Sequence, residues 1–397
     1  DLMASLLLAI IYLSFISLGL PDSLLGSGWP AMHPELNVPV SYAGIISMLI
    51  ALCTIISSLN SDRLTKKFGA GLVTAVSVGM TALAMLGFSF SRSFWILCVL
   101  ALPYGLGAGS VDAALNNYVA LHFSSKHMSW LHCMWGVGTI ISPYIMGYAL
   151  NGGLGWQSGY RIVSVMQIVL TVILFITLPL WKINKTQDTA DGISEPKKAL
   201  SLKEIFAIKG AKSVMITFFC YCAAEQTTML WASSYLVNSG FSADAAAKFA
   251  SMFFIGITLG RAASGFLTIK FTDTQMIRAG LVIMAAGIVS MILPLGNTAS
   301  LVSLVLIGLG CAPIYPCIIH STPTHFGADK SQAVIGVQMA SAYAGTLAMP
   351  PIFGIIANKI SVSLLPFYLL TILIIMAVMH ETLVKTTSSH KIAPNVK

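Results

Sequence analysis

Apolar runs of membrane-spanning length dominate this sequence. Twelve of them lie at 3–28, 41–60, 70–90, 94–121, 128–150, 160–181, 212–238, 245–268, 276–295, 299–321, 331–357 and 362–383. An α-helix needs about 20 apolar residues to cross the hydrocarbon core of a bilayer. A backbone surrounded by lipid must satisfy its own hydrogen bonds, within helices or a closed barrel. The runs therefore predict an all-α membrane protein with twelve transmembrane helices.

The composition agrees with a protein that works inside a membrane. Charged residues make up 9% of the chain, hydrophobic residues 56%, and the mean hydropathy is +0.83, whereas soluble domains contain about 25% charged residues. The formal net charge of +8 does not indicate a nucleic-acid partner, because the basic residues lie between the apolar runs without interleaved aromatic residues. Seven cysteines without CxxC spacing are typical of packing residues. No metal and no cofactor are expected.

The basic residues between the runs predict the orientation. The loops on one side carry Arg63, Lys66, Lys67, Lys126, a cluster from Lys182 to Lys212, Lys270, Arg278, Lys330 and the tail lysines, whereas the opposite loops carry Arg92, Lys248 and Lys359. Cytoplasmic loops are enriched in Lys and Arg, so both termini are predicted to be cytoplasmic in a multi-pass cell (inner) membrane protein. The first run continues to Asp22 without a small-residue cleavage site, so no cleaved signal peptide is expected.

The longest connection, about 182–211, separates six runs from six. It predicts a bundle at 1–181, a cytoplasmic linker at 182–211, a second bundle at 212–384 and a cytoplasmic tail at 385–397. Within the linker, Leu200–Lys209 alternates apolar and charged residues as a helix lying on the inner surface of the membrane does.

Short matches relate the two halves. Gly-Leu-Gly at 105–107 recurs 203 residues later at 308–310, and Asp22 is related at the same spacing to Glu225. Residues 138–147 resemble 345–354, four residues further apart. The common order of these matches predicts two pseudo-symmetric six-helix bundles.

The fourth run contains a carboxylate and two amides, Asp112, Asn116 and Asn117. An Asp at the centre of a bilayer costs roughly 2.5–3.5 kcal/mol on insertion scales, so it normally faces a protein interior or a water-filled cavity. Asn116 lies one helical turn after Asp112, so both side chains are predicted on one face. The stretch therefore predicts a polar pathway.

The loop after the second run reads Ser58-Leu59-Asn60-Ser61-Asp62-Arg63-Leu64-Thr65-Lys66-Lys67. It resembles the signature of the major facilitator superfamily, although Ser58 and Thr65 replace its two glycines. Charge-assisted contacts of such residues can close the inner side of a transporter, so Asp62, Arg63, Lys66 and Lys67 are predicted gate residues. Arg261, at the repeat position of Ser58, is predicted with them. Cations that only set the membrane orientation are the alternative.

Within that superfamily the chain is similar to the fucose:proton symporter group of sugar transporters. Asp112 precedes Asn116-Asn117-Tyr118 at the spacing of that group's fourth span, and His132 and Trp135 occupy two amide positions of its fifth. The resemblance implies a central cavity lined by the first, fourth, seventh and tenth spans. Each has a polar group: Asp22, Asp112, Glu225 with Gln226, and His320 on a span that Pro313 and Pro316 are expected to break.

These polar groups predict a binding site with two tasks. Carboxylates in a cavity that alternates between dry and wet take up and release protons, so the predicted proton-coupling residues are Asp22, Asp112 and Glu225. A sugar needs donors and acceptors for its hydroxyls and an aromatic plate for its C–H face. The predicted substrate-binding residues are Asn116, Asn117, His132, Trp135, Gln226, Tyr315 and Gln338.

The sequence thus favours a monomeric secondary transporter that imports a sugar or a similar small polar solute with protons. Its expected partners are that solute, protons or sodium ions, and membrane lipid. Sodium-coupled uptake and proton-coupled efflux of apolar or cationic compounds remain open. A receptor or an intramembrane enzyme is a further alternative, but HExxH, GxSxG and nucleotide-binding motifs are absent from the sequence, so no enzyme is expected.

Overall fold

The computed structural model describes residues 2–22, 24–38, 42–182, 199–241 and 243–388. The helices used below are α1 (Leu2–Asp22), α2 (Leu24–Glu35), α3 (Ala43–Leu59), α4 (Ser61–Phe68), α5 (Ala70–Phe90), α6 (Phe94–His122), α7 (Ser125–Asn151), α8 (Trp156–Ile176), α9 (Leu202–Ala207), α10 (Ala211–Asn238), α11 (Ala243–Leu267), α12 (Asp273–Ile292), α13 (Asn297–Phe326), α14 (Ser331–Lys359) and α15 (Leu365–Ser388). Most of the predicted linker and tail, residues 183–198 and 389–397, lies outside the described residues.

The all-α prediction is confirmed, and a helix covers each of the twelve predicted runs. Within the described part of the chain, eight helices are long and apolar enough to cross a membrane, and a ninth span forms if α3 and α4, bent by 55°, are taken together. Three further predicted spans are α7, α10 and α11, which are 27, 28 and 25 residues long. The described part of α11 includes the apolar segment Met252–Leu267. The predicted site residues His132 and Trp135 lie in α7, and Glu225 and Gln226 lie in α10.

One detail of the prediction was wrong. The tenth span was expected to break at Pro313 and Pro316, yet α13 is one helix of 30 residues that includes both, together with Pro323. Proline is tolerated inside membrane helices because neighbouring helices and side chains satisfy the backbone groups that it frees.

The described helices form two compact units. Unit 1 comprises Asp1–Tyr118 and Leu131–Leu200, and unit 2 comprises Val119–Trp130 and Ser201–Lys397. The end of α6 and the start of α7 therefore cluster with the later helices. The short helix α9 begins at the Ser201 cap, whose hydroxyl accepts from the Glu204 amide at 3.3 Å.

The repeat seen in the sequence has a counterpart in the packing of each unit. Gly105 on α6 lies so close to the Ile50 carbonyl oxygen of α3 that a Cβ would overlap with it, and Gly308 on α13 lies in the same way against Phe253 on α11. Each residue of the second contact, Gly308 and Phe253, follows its counterpart in the first, Gly105 and Ile50, by 203 positions. The two units thus repeat a helix contact as well as a sequence motif.

Close packing between α1 and α7 positions the polar residues of unit 1. Gly19 on α1 lies against the Trp135 carbonyl, and Ser142 donates to the Leu20 carbonyl. From α8, Gln167 Nε2 donates to the Ser17 carbonyl at 2.6 Å. These contacts bring the end of α1 beside the middle of α7, because small residues let helix backbones approach closely.

Candidate functional site

Asp22 is held by two aromatic donors. It is the last residue of α1 and is exposed. Its Oδ1 accepts from the Tyr104 hydroxyl of α6 at 3.1 Å, and its Oδ2 accepts from Trp135 Nε1 of α7 at 2.9 Å. Hydrogen bonds to an ionised group are about twice as strong as those between neutral groups. Three helices of unit 1 therefore fix this carboxylate in one orientation.

Asp112, Asn116 and His132 form a second, buried network in unit 1. Asn116 Nδ2 donates to Asp112 Oδ1 at 2.7 Å, which confirms that these residues share a face of α6. The Asn116 Oδ1 atom meets His132 Nε2 of α7 at 2.8 Å, so the ring carries a hydrogen on Nε2. The Phe15 ring of α1 packs edge-on to the imidazole at 5.3 Å between centroids.

Both networks of unit 1 reach the same helix. His132 and Trp135 are three residues apart on α7 and thus lie on neighbouring positions of one face. His132 is hydrogen-bonded to Asn116, which holds Asp112, and Trp135 is hydrogen-bonded to Asp22. A small movement of α7 would therefore act on both carboxylates.

Glu225 of α10 lies with a buried cation in unit 2. Its Oε2 is 3.8 Å from Arg261 Nη2 of α11, and its Oε1 accepts from Gln226 Nε2 at 3.3 Å. Arg261 Nη2 also donates to the Tyr221 hydroxyl at 3.2 Å. Arg261 was predicted as a gate residue, but this pairing brings it together with a predicted proton-coupling residue.

The remaining predicted substrate residues are spread over three helices. Asn117 is buried on α6, and Tyr315 of α13 is half-buried with its ring 5.6 Å from that of Tyr221. The Tyr315 hydroxyl is 3.2 Å from Met339 Sδ. Gln338 of α14 is fully buried, and its Oε1 accepts from the Thr322 hydroxyl at 3.0 Å.

The predicted gate residues other than Arg261 lie on α4. Asp62 is buried, and its Oδ1 is 2.9 Å from Lys66 Nζ one turn later. Its Oδ2 also accepts from the Leu200 amide at 3.2 Å. Arg63 and Lys67 are exposed, and Lys67 Nζ lies 5.3 Å from the centroid of the Phe68 ring.

A polar cluster around Asp273 was not predicted. His320 Nδ1 lies 2.6 Å from Asp273 Oδ2, and its Nε2 lies 2.9 Å from the Phe123 carbonyl. Ser125 donates to the other oxygen of Asp273. Because a carbonyl oxygen only accepts, the ring carries a hydrogen on Nε2. The cluster borders a cavity of about 540 Å³ in unit 2.

Three partners in these networks were not among the predicted site residues. Tyr104 lies in the glycine-rich stretch before Asp112, and Tyr221 lies one turn before Glu225, so helical spacing from a predicted carboxylate was an available signal for Tyr221. Asp273 begins α12 behind a Thr272–Gln275 capping box, which indicates only a helix start. Within the described residues, no group of three His, Cys, Asp or Glu residues is placed to hold a metal ion.

Comparison with known proteins gives one family. Residues 11–268 and 214–395 match the family model described as Major Facilitator Superfamily. A curated relative, Bypass of stop codon protein 6 of Saccharomyces cerevisiae, is 22% identical over 389 residues, which span 89% of this chain and 77% of the relative.

Two solved structures are similar in fold. FucP, the fucose:proton symporter of E. coli, is represented by a structure in the outward conformation, which is 16% identical, with a TM-score of 0.73 over 94% of this chain and 98% of that one. The proton:xylose symporter XylE is 12% identical, with a TM-score of 0.76 over 96% and 95%. These likenesses establish the fold of two six-helix bundles.

Proposed function

The chain belongs to the Major Facilitator Superfamily, and from this premise we propose that it imports a sugar or a similar small polar solute together with protons. A superfamily member of this kind is a multi-pass membrane transporter with a site between structural repeats that opens to each side in turn. We further propose that it acts as a monomer in the cell (inner) membrane, with both termini and the 182–211 linker in the cytoplasm. The 1–181 and 212–384 bundles are the proposed moving parts.

The observation that carries this proposal is the pair of carboxylate networks in unit 1. Asp112, Asn116 and His132 are buried and hydrogen-bonded to one another inside membrane-spanning helices. Polar side chains are costly at that depth, and their usual role there is in substrate or ion pathways. Asp22 is bound to Trp135 on the same helix face as His132.

The Asp112–Asn116 contact offers a route from proton binding to substrate binding. The Asn116 amide donates to Asp112 at 2.7 Å. A proton on Asp112 removes the charge and weakens this bond by about half, because charge-assisted hydrogen bonds are roughly twice as strong as neutral ones. When the site opens, one amide hydrogen is then available to a substrate hydroxyl, while Nδ2 continues to donate to the Asp112 carbonyl oxygen at 2.7 Å. Protonation thereby raises the affinity for a polar solute.

Two further considerations support the sugar class. The solved structures FucP and XylE are named as a fucose:proton symporter and a proton:xylose symporter. The aromatic and amide side chains near the two carboxylates also match what a sugar requires, since its hydroxyls need donors and acceptors and its C–H faces need apolar contact.

Transport by purified protein in liposomes tests the proposal. With an inward proton gradient, labelled sugars from a panel that includes fucose and xylose are offered, and accumulation of at least one of them is expected. Asp112→Asn is expected to retain exchange of that sugar across the membrane and to lose accumulation against a gradient. Asp329→Asn, in an exposed loop position, is the matched control and accumulates like the wild type.

Other outcomes would decide against the proposal in defined ways. Accumulation that persists when Asp22, Asp112 and Glu225 are all neutralised excludes proton coupling through them. Accumulation that follows an imposed sodium gradient and ignores the proton gradient indicates sodium coupling. Outward movement of cationic drugs, with no uptake of any sugar, indicates efflux instead.

A further inference from the structure

Arg261 is the most deeply buried arginine among the described residues. Only 5% of it is exposed, and it lies in the interior of α11 within unit 2. A buried guanidinium is stable only when it is paired and hydrogen-bonded. Its five N–H donors form a rigid fork that fits the two oxygens of a carboxylate.

The described partners of Arg261 leave this fork incomplete. Nη2 donates to the Tyr221 hydroxyl at 3.2 Å, and the 3.8 Å separation from Glu225 Oε2 is too long for a hydrogen bond. Nε has no hydrogen-bond partner among the described residues. A buried donor without a partner is destabilising, so a structural role alone does not explain this arrangement.

Arg278 shows how the same side chain behaves when it is satisfied. On the surface of unit 2, its Nε and Nη2 atoms donate to the two oxygens of Glu381 at 2.8 and 3.0 Å. Its side chain is 50% exposed, whereas that of Arg261 is 6% exposed. The exposed arginine therefore has a complete bidentate pair, and the buried one lacks it.

We propose that Arg261 binds the carboxylate of the transported solute, which is a hydroxylated organic acid such as a sugar acid. This inference rests on the proposed function and narrows its small polar solute to one with a single negative charge. Tyr221 and Gln226 lie next to Arg261 and Glu225 and supply a hydroxyl and an amide for hydroxyl groups of the solute.

Charge balance favours one carboxylate over a doubly charged phosphate. Glu225 and Arg261 together carry no net charge when Glu225 is ionised. If the solute carboxylate takes the arginine fork and one proton from water binds a Glu225 oxygen, the site remains neutral. A dianion would leave one uncompensated negative charge in a buried site, which is costly. Binding of each solute anion at this site is thus accompanied by binding of one proton to Glu225.

Glu225 is the proposed proton acceptor of this site. The titratable and charged groups around it are Arg261 on α11, Tyr221 on its own helix, and Tyr315 and Cys311 on α13. At a pH below their ordinary pKa values, arginine is charged and phenols and thiols are neutral. Loss of the Glu225 carboxyl should therefore remove the coupling without removing the anion site.

The test uses matched pairs of probes in liposomes that contain the full protein. Galacturonate and glucuronate are each compared with galactose and glucose, which lack the carboxylate. The wild type is expected to exchange the two acids and to discriminate against the neutral hexoses. Arg261→Lys keeps the charge but not the fork, so exchange of the acids falls by about tenfold or more. The control Arg278→Gln exchanges them like the wild type.

A second variant keeps the test decisive if Arg261→Lys does not fold. Glu225→Gln is expected to retain exchange of galacturonate while losing its accumulation on a proton gradient. Equal exchange of acids and hexoses, or unchanged acid exchange by a folded Arg261→Lys, would overturn the inference. Uptake of the neutral hexoses but not of the acids would refute the proposal that the solute carries a carboxylate. It would leave the proposal of proton-coupled transport in place. A protein that moves none of the probes in any gradient contradicts both proposals.

Discussion

Asn116 has two partners and no exposure to solvent. Its Nδ2 donates to Asp112 Oδ1 at 2.7 Å, and its Oδ1 meets His132 Nε2 at 2.8 Å. Both bonds are buried, so water cannot replace the amide if it is removed. The Asn116 side chain therefore holds both the Asp112 carboxylate on its own helix and the His132 ring on α7 by hydrogen bonds.

Asn116→Leu, which keeps the approximate volume, is expected to destabilise the protein. It leaves Asp112 and His132 each without one buried partner, at about 1–3 kcal/mol per group, or about 2–6 kcal/mol in total. Thermal unfolding of the purified protein in detergent measures the change. Asn297→Leu, at an exposed position at the start of α13, is the control and should leave the unfolding temperature nearly unchanged. Equal unfolding temperatures for both variants would show that the network contributes little.

Trp135 shows why the role of a residue is harder to predict than its place. Its spacing from His132 indicated a shared face, and an aromatic plate for a sugar was the expected role. The indole instead donates to Asp22 across 113 residues of chain. The face of an indole ring can pack against the C–H face of a sugar while its N–H donates a hydrogen bond. The contact with Asp22 is therefore compatible with the predicted role in sugar binding.

At the scale of helices, α1 and α7 make one contact that recurs between α10 and α14. Gly138 lies against the Ile16 carbonyl oxygen, and Gly345 lies against that of Phe219. Small residues at such crossings allow the van der Waals contact on which helix association in membranes depends. The contact in unit 1 also sets the distance between Asp22 and Trp135.

Gly138→Ala is expected to destabilise the protein, whereas Gly136→Ala is not. A methyl group at 138 would overlap the Ile16 carbonyl, and overpacking of this kind costs about 1–3 kcal/mol. Around Gly136 nothing lies within 4 Å of a Cβ, so alanine gains up to about 1 kcal/mol from its higher helix propensity. Thermal unfolding and expression level compare the two variants on the same helix. The prediction fails if Gly138→Ala is as stable as Gly136→Ala.

The helices were predictable from the sequence because the membrane leaves few choices. Apolar runs of sufficient length must become helices. The repeated Gly-Leu-Gly motif predicted two related bundles, and the structure adds the repeated packing of Gly105 and Gly308. Spacing along one helix also predicted the Asp112–Asn116 contact. Contacts between helices were not predictable, since Asp22 and Tyr104 are 82 residues apart, and Arg261 and Tyr221 are 40 apart. Helical periodicity gives the face of a residue but not the helix that it meets.

At the scale of the whole molecule, the distribution of charge predicts how the chain lies in the membrane. Basic side chains at Lys66 and Lys67 follow the second span, on the side expected to be cytoplasmic, and Arg92 follows the third. An even number of spans puts both termini on one side. The unequal distribution of Lys and Arg between the loops thus selects between the two orientations.

Cysteine labelling in intact cells tests this orientation. In a variant without the seven native cysteines, Lys67→Cys and Arg92→Cys are introduced one at a time; both positions are exposed. A maleimide that cannot cross the membrane is expected to label Arg92→Cys in intact cells and Lys67→Cys only after the cells are permeabilised. Uptake of the transported solute by the cysteine-free variant is the control for its fold. The reverse pattern would place both termini outside and would make the predicted gate on α4 an outer one, because the lysines and Asp62 share that helix. Labelling of both positions in intact cells would contradict the assignment of α5 as a complete span, since its two ends would then lie on the same side.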